Sequence, residues 1–153
     1  MDDGGYGADV SEALTVLLRR DMRSRVYGAL TRGVGEGIDE VTYPVISGLA
    51  RRGSCTSAEL AQDVSVDRSV VSRRATTLEH YGFLARTTDP RDSRGTLLVL
   101  TPRGQEAVTV MRERLASLIG DYLAEWSEEE VAVFVKIFRR FVESNLFTDP
   151  HSA

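Results

Sequence analysis

The chain has 153 residues, 42% of them hydrophobic and 27% charged, with a net charge of −4. That is enough to bury the core of one domain or of two small subdomains. It has no apolar run of about 18 residues to span a membrane, and its acidic start, Met1-Asp2-Asp3-Gly4-Gly5, lacks the pattern of a signal peptide. One cysteine, Cys55, excludes an internal disulfide and a multi-cysteine metal site, and two histidines, His80 and His151, exclude the usual zinc sets. No metal or cofactor is expected, and the expected location is the cytoplasm.

Residues 1–8 read as a frayed tail. From about Asp9 to Arg32, Val10, Leu14, Leu17, Leu18, Val26 and Leu30 recur at the spacing of one helix, and Gly33-Val34-Gly35-Glu36-Gly37 stops it. A short helix follows with Pro44 in its first turn, ending at Gly53. Thr56-Ser57-Ala58-Glu59 is a capping box that opens a helix to about Val64, with Cys55 and Leu60 as its hydrophobic staple. Asp67 is expected to cap another helix, to about Tyr81, with Gly82 as its stop. Phe83 to Thr88 and Gly95 to Leu100 read as two strands. Asp89-Pro90-Arg91-Asp92-Ser93-Arg94 forms the turn between them. Thr101-Pro102 caps a long helix carrying Val108, Met111, Leu115, Leu118, Ile119 and Tyr122. Ser127-Glu128-Glu129-Glu130 caps the last one, which carries Val131, Phe134, Val135, Phe138, Phe141 and Val142.

The charge is unevenly spread. Residues 51–103 hold nine arginines and six acids, a net of +3, while the other 100 residues hold ten basic and seventeen acidic groups, a net of −7. A basic middle between acidic ends fits a nucleic-acid reader with ends that stay off the DNA. Two helices a few residues apart, the second leading into a hairpin, make a winged helix-turn-helix. The helix from Asp67 to Tyr81 is then the recognition helix. Its Val71, Ala75 and Leu78 form an apolar stripe. Arg68, Ser69, Ser72, Arg73 and Thr76 form the opposite face, with residue types that bond base edges and phosphates. Arg74 interrupts the edge of the apolar stripe and is expected to snorkel, with a structural ion pair or a phosphate contact as the alternative.

These motifs carry a resemblance. Thr56-Ser57-Ala58-Glu59-Leu60-Ala61, Val66-Asp67-Arg68-Ser69-Val70-Val71-Ser72-Arg73, Gly82-Phe83-Leu84 and Asp89-Pro90-Arg91-Asp92-Ser93-Arg94, followed by Leu100-Thr101-Pro102-Arg103-Gly104, are similar to the MarR (multiple antibiotic resistance regulator) family. The resemblance is dense from about Ser54 to Gly104, and the flanking helices match in length and order only. It implies a mainly α fold with a small β-hairpin wing, as a single domain over 1–153. Within it, 41–104 form the winged helix-turn-helix, and 9–35 and 105–147 form dimerisation helices. It also implies a homodimer that binds double-stranded DNA at a palindromic operator; a repressor is expected, though an activator carries the same sequence signature. A small anionic or phenolic effector, or an oxidant, often modulates such binding. The candidate DNA-binding residues are Thr56, Ser57, Arg68, Ser69, Ser72, Arg73 and Thr76, with Arg91, Asp92 and Arg94 on the wing. By the family pattern Arg94 enters a minor groove from the hairpin tip, and Asp92 is placed to orient it. An effector pocket is expected near Arg25, Tyr27 and Tyr43.

The remaining features read as structural. Cys55 is expected to be a small buried hydrophobe rather than a redox sensor, and His80 a partner of a helix C-terminus. Val10, Leu14 and Leu17 at one end, and Phe134, Phe138 and Phe141 with Trp126 at the other, exceed what one subunit can bury. They are the candidate dimer contacts, with some intrachain packing besides. No nucleophile elbow, phosphate loop, dinucleotide fingerprint or HExxH is present, so no enzyme is expected. Two alternatives stay open: a winged-helix module that binds protein, and a DNA-binding protein that answers no ligand.

Overall fold

The computed structural model describes residues 5–144 and divides into two compact units, the first reaching Arg114 and the second beginning at Leu115. Its elements are α1 (Gly5–Leu18), α2 (Arg20–Thr31), α3 (Tyr43–Arg52), α4 (Ser57–Val64), α5 (Arg68–His80), β1 (Leu84–Asp89), β2 (Asp92–Leu100), α6 (Pro102–Leu123) and α7 (Glu128–Val142). The chain is thus mainly helical, with one antiparallel hairpin.

The expected first helix is two. Arg19 turns to ψ 141° and ends α1, while its guanidinium forks onto Asp21 at 3.0 and 3.1 Å. That pair sets an acid at the start of α2, where the macrodipole favours it. The apolar spacing runs through the one-residue break unchanged, so periodicity does not reveal it. Helix also begins earlier than expected: residues 5–8 are its first turn rather than a tail.

In the first unit the core lies between α3, α4, α5 and the wing. Val45, Ile46, Leu60, Val71, Ala75 and Leu78 are all fully buried. The expected stripe of α5 is therefore the one that packs. The capping box of α4 forms as expected: Thr56 Oγ1 accepts from the Glu59 N–H, and Glu59 accepts from the Thr56 N–H at 2.8 Å. Asp67 does not cap with its side chain; only its carbonyl is used, by the Val70 and Val71 N–H groups. The far end of α5 closes in a Schellman motif. The Phe83 N–H donates to the Leu78 carbonyl, the Gly82 N–H to that of Glu79, and Gly82 takes φ +79°.

The hairpin is longer and tighter than expected. β2 starts at Asp92, three residues before Gly95, and the turn is only Pro90-Arg91. Pairing is regular from Leu84↔Leu100 to Thr88↔Thr96, then jumps to Asp89↔Asp92, so Ser93, Arg94 and Gly95 have no partner on β1. Cys55 adds a single bridge on the other side of β2. Its N–H donates to the Leu98 carbonyl and its carbonyl accepts the Leu98 N–H.

β1 and α6 meet at a close crossing. The Thr101 N–H donates to the Phe83 carbonyl, and the Thr101 hydroxyl donates to the Gly82 carbonyl at 2.6 Å while accepting the Gly104 N–H at 3.1 Å. Further along α6, the Arg114 guanidinium donates to the carbonyls of Leu30 and Arg32 at 2.9 and 2.7 Å. These are end carbonyls of α2, which no helical N–H can reach.

The second unit holds the rest of α6 and α7. Ser127 and Glu130 form the expected capping box. Tyr122, Trp126, Phe134 and Phe138 follow one another in ring contact, with centroids 5.4–5.9 Å apart. These rings do not make a buried intrachain core: no residue of α7 is buried, and Phe134 and Phe138 are 38% and 48% exposed. Residues 145–147 of the expected dimerisation segment, and His151, lie outside the described residues.

At Gly104 a Cβ would run into the Phe83 carbonyl, which is backbone and pinned by Thr101. Gly104→Ala should lower stability by about 1–3 kcal/mol, as other overpacked sites do. Urea unfolding checks this against Gly120→Ala, where a Cβ meets nothing within 4 Å.

Candidate nucleic-acid interface

The helix-turn-helix is built from α4, a three-residue turn and α5. The turn needs a left-handed residue, which Ser65 supplies at φ 51°, and the Val66 N–H closes it on the Ala61 carbonyl. Arg52 ties α3 to α4, with both Asp63 carboxylate oxygens at 2.8 Å and Glu59 at 3.6 Å. Seating α5 by Val71, Ala75 and Leu78 turns its other side outward. Arg68, Ser69, Arg73 and Thr76 are exposed there and Ser72 is half-buried.

The ten candidate residues differ in what they have left to offer. Arg68, Arg73 and Arg94 are exposed and make no ion pair among the described residues, so their guanidinium groups are free for an anion or a guanine edge. Ser69 is on the same exposed face as Arg68. The Thr76 hydroxyl spends its proton on the Ser72 carbonyl at 3.0 Å and accepts from Arg86, so it can still accept but cannot donate to a phosphate. The Thr56 hydroxyl is likewise committed to Glu59, at 3.0 Å, and serves as a cap. Ser57 is half-buried in the first turn of α4.

On the wing the assignments change. Arg91, not Arg94, occupies the tip, and Arg94 sits in the unpaired run 93–95 of β2. Asp92 does not grip the Arg94 guanidinium; its Oδ1 accepts the Arg94 backbone N–H at 3.0 Å. A short carboxylate two residues before an amide closes a local turn more readily than it reaches a long side chain. The orienting carboxylate is Asp89, buried at the base of the turn. It accepts from the Arg91 N–H at 2.9 Å and from its guanidinium at 3.3 and 3.4 Å. The bond from the Arg91 N–H, and then those from its guanidinium, hold the Asp89 carboxyl below its usual range.

Sequence reasoning passes over Arg86. It stands on β1 with its guanidinium against α5, donating to the Glu79 carboxylate, to Thr76 Oγ1 at 3.1 Å and to the Ser72 carbonyl at 3.4 Å. The available signal is the strand's period of two. Leu84 faces the core, so Arg86 shares its face. Arg74 is half-buried and has no carboxylate partner among the described residues, which fits snorkelling. His80 is exposed and packs edge-on to Tyr81.

Cys55 is 2% exposed, and burial pushes its thiol above the usual range. No group of three metal-binding side chains occurs among the described residues, and none of their helices is long and apolar enough to cross a membrane.

An arginine-faced second helix followed by a basic hairpin defines a DNA-binding protein of the winged helix-turn-helix class. Comparison with known proteins narrows this. Residues 40–96 match the MarR family. The chain is 27% identical over 103 residues to YxaD, an HTH-type transcriptional regulator of Bacillus subtilis, covering 67% of this chain and 72% of YxaD. Its fold is similar to that of wild-type MarR from E. coli (TM-score 0.72, 19% identity, 86% of this chain and 95% of that one). It is also similar to that of BpsR from Bordetella bronchiseptica, whose DNA binding is regulated by 6-hydroxynicotinic acid (TM-score 0.56, 19% identity, 88% and 99%). Over residues 40–96 the chain thus matches the MarR family of transcriptional regulators, and its fold is similar to that of MarR-family structures.

A buried thiol with a raised pKa leaves little thiolate near neutral pH. Ellman's reagent should therefore label native Cys55 slowly and the urea-unfolded chain at once. Fast labelling of the folded protein would contradict its place under the wing.

Proposed function

We propose that this regulator is a repressor that works as a homodimer, with each winged helix on one half of a palindromic operator. The observation that carries the reading is the unburied apolar surface of the terminal helices. Neither α1 nor α7 buries a residue, and Val10, Leu17, Phe134 and Phe138 are 38–55% exposed, with Leu14 and Phe141 half-exposed. Surface of that size and chemistry is costly in water and is ordinarily covered by another chain. In this reading 9–35 and 105–147 are the dimerisation segments and 41–104 the DNA-reading segment. Two-fold symmetry sets the half-site centres about 34–36 Å apart. Arg68, Ser69, Ser72 and Arg73 enter the major groove, Arg94 the adjacent minor groove, and Arg91 and Asp92 shape the wing. Thr56, Ser57 and Thr76 flank the contact. The chain is then a binding protein rather than an enzyme, acting in the cytoplasm on promoter DNA.

The reading includes a small effector, an aromatic acid. Tyr27 and Tyr43 lie 4.5 Å apart, ring to ring, and Arg51 and Arg112 act on the Tyr43 hydroxyl. Burial, then Tyr27, raises the Tyr43 pKa, and the two arginines oppose them. The half-buried rings can stack on a flat aromatic ring, and the nearby arginines suit its carboxylate. Arg25 is exposed on α2. The effector of BpsR is of the same chemical kind.

Sedimentation should show a dimer at micromolar concentration, and Phe138→Asp should shift it to monomer with loss of operator binding; a monomeric wild type would overturn the reading. Genome-wide footprinting supplies the operator. On it, Arg73→Ala should cost about 1–3 kcal/mol if the arginine pairs with guanine. An equal loss on random DNA would make it a phosphate contact. Arg94→Ala should weaken binding more with A·T-rich than with G·C-rich flanks, because groove width sets what an inserted arginine gains.

A further inference from the structure

We infer that Arg86 is a positioning residue: it locks the wing to the recognition helix and so sets the spacing between the two DNA-reading groups, Arg68 and Arg73 on α5 and Arg94 on β2. The inference rests on the operator-binding reading above.

The wing is a lever. It joins α5 through Tyr81 and Gly82, and Gly82 is the residue with left-handed backbone freedom. From Leu84 to the Pro90-Arg91 turn is six residues, roughly 20 Å at about 3.3 Å per residue. A rotation of roughly 6° at the base would then move the tip by about 2 Å, enough to break any hydrogen bond to DNA. Arg86 resists that rotation from the side. Its guanidinium reaches Ser72, Thr76 and Glu79, which stand at i, i+4 and i+7 on one stripe of α5. The planar fork spans two turns of helix at once, which a single ammonium could not do. Its side chain is only 27% exposed, so water competes weakly for these bonds.

Glu79 gains a reason as well. A carboxylate on a helix that approaches phosphates weakens DNA binding by repulsion, and here it holds the clamp instead. This makes the test one of opposite signs. Glu79→Gln removes a negative charge, so affinity for random DNA should hold or rise. Loosening the wing should still lower the preference for operator over random DNA about tenfold, the scale of one lost base contact. Arg86→Gln should lower that preference similarly, and the double variant no further than the worse single one, because the two residues form one device. All are measured by fluorescence anisotropy across a salt series, below the melting temperature of each variant. An unchanged preference in folded variants would leave the clamp a stabilising pair only and overturn the inference. A uniform loss in Arg86→Gln, with the salt slope reduced by about 1, would make Arg86 a phosphate contact and overturn it too. A wild-type chain with no operator preference would bring down the operator-binding reading itself, a result distinct from both.

Discussion

Everything in the reading head hangs on the crossing of β1 and α6 at Gly82, Phe83, Thr101 and Gly104. One threonine side chain caps α6 and bonds the residue that ends α5, and its N–H joins the next carbonyl. Two backbones can approach this closely only because position 104 has no Cβ. Within the first unit, the recognition helix, the wing and the first turn of α6 are thereby joined at one point. Phe83, fully buried there with the Arg103 guanidinium 4.6 Å over its ring, fills the space beneath. In the operator-binding reading, arginines must be placed on DNA to within a hydrogen-bond length, and a shared origin for three elements serves that need.

The arginines divide by what they meet inside the chain. Arg52, Arg86, Arg91 and Arg114 spend their guanidinium groups on carboxylates or end carbonyls, and each joins or shapes elements. Arg68, Arg73 and Arg94 spend theirs on nothing within the described residues. The basic excess of residues 51–103 therefore lies in the arginines that have no carboxylate partner among the described residues. The acids that offset it are mostly structural partners of particular arginines.

Much of the fold was legible. The two capping boxes, the apolar stripe of α5 and the stop at Gly82 followed from local rules. Each depends on groups within a few residues of one another, where spacing alone brings donor to acceptor. The break at Arg19 was not legible, because a one-residue interruption leaves helical periodicity intact. Asp67 failed as a side-chain cap although its residue type suits the role, since type gives a preference and not a rotamer.

On the site, the sequence by itself determined which helix carries polar groups outward and that a basic hairpin follows it. Alternation and amphipathic spacing are properties of the chain. What only the tertiary structure decided is which of those groups remain unspent. Asp92 turned to a backbone amide and Asp89 took the arginine at the tip. Arg86 left solvent for a stripe on α5 seven to fourteen residues away. Pairing between β1 and α5 depends on how the two elements pack. No local spacing encodes it, and the free energy of a guanidinium in water is close enough to that in a clamp for packing to choose between them.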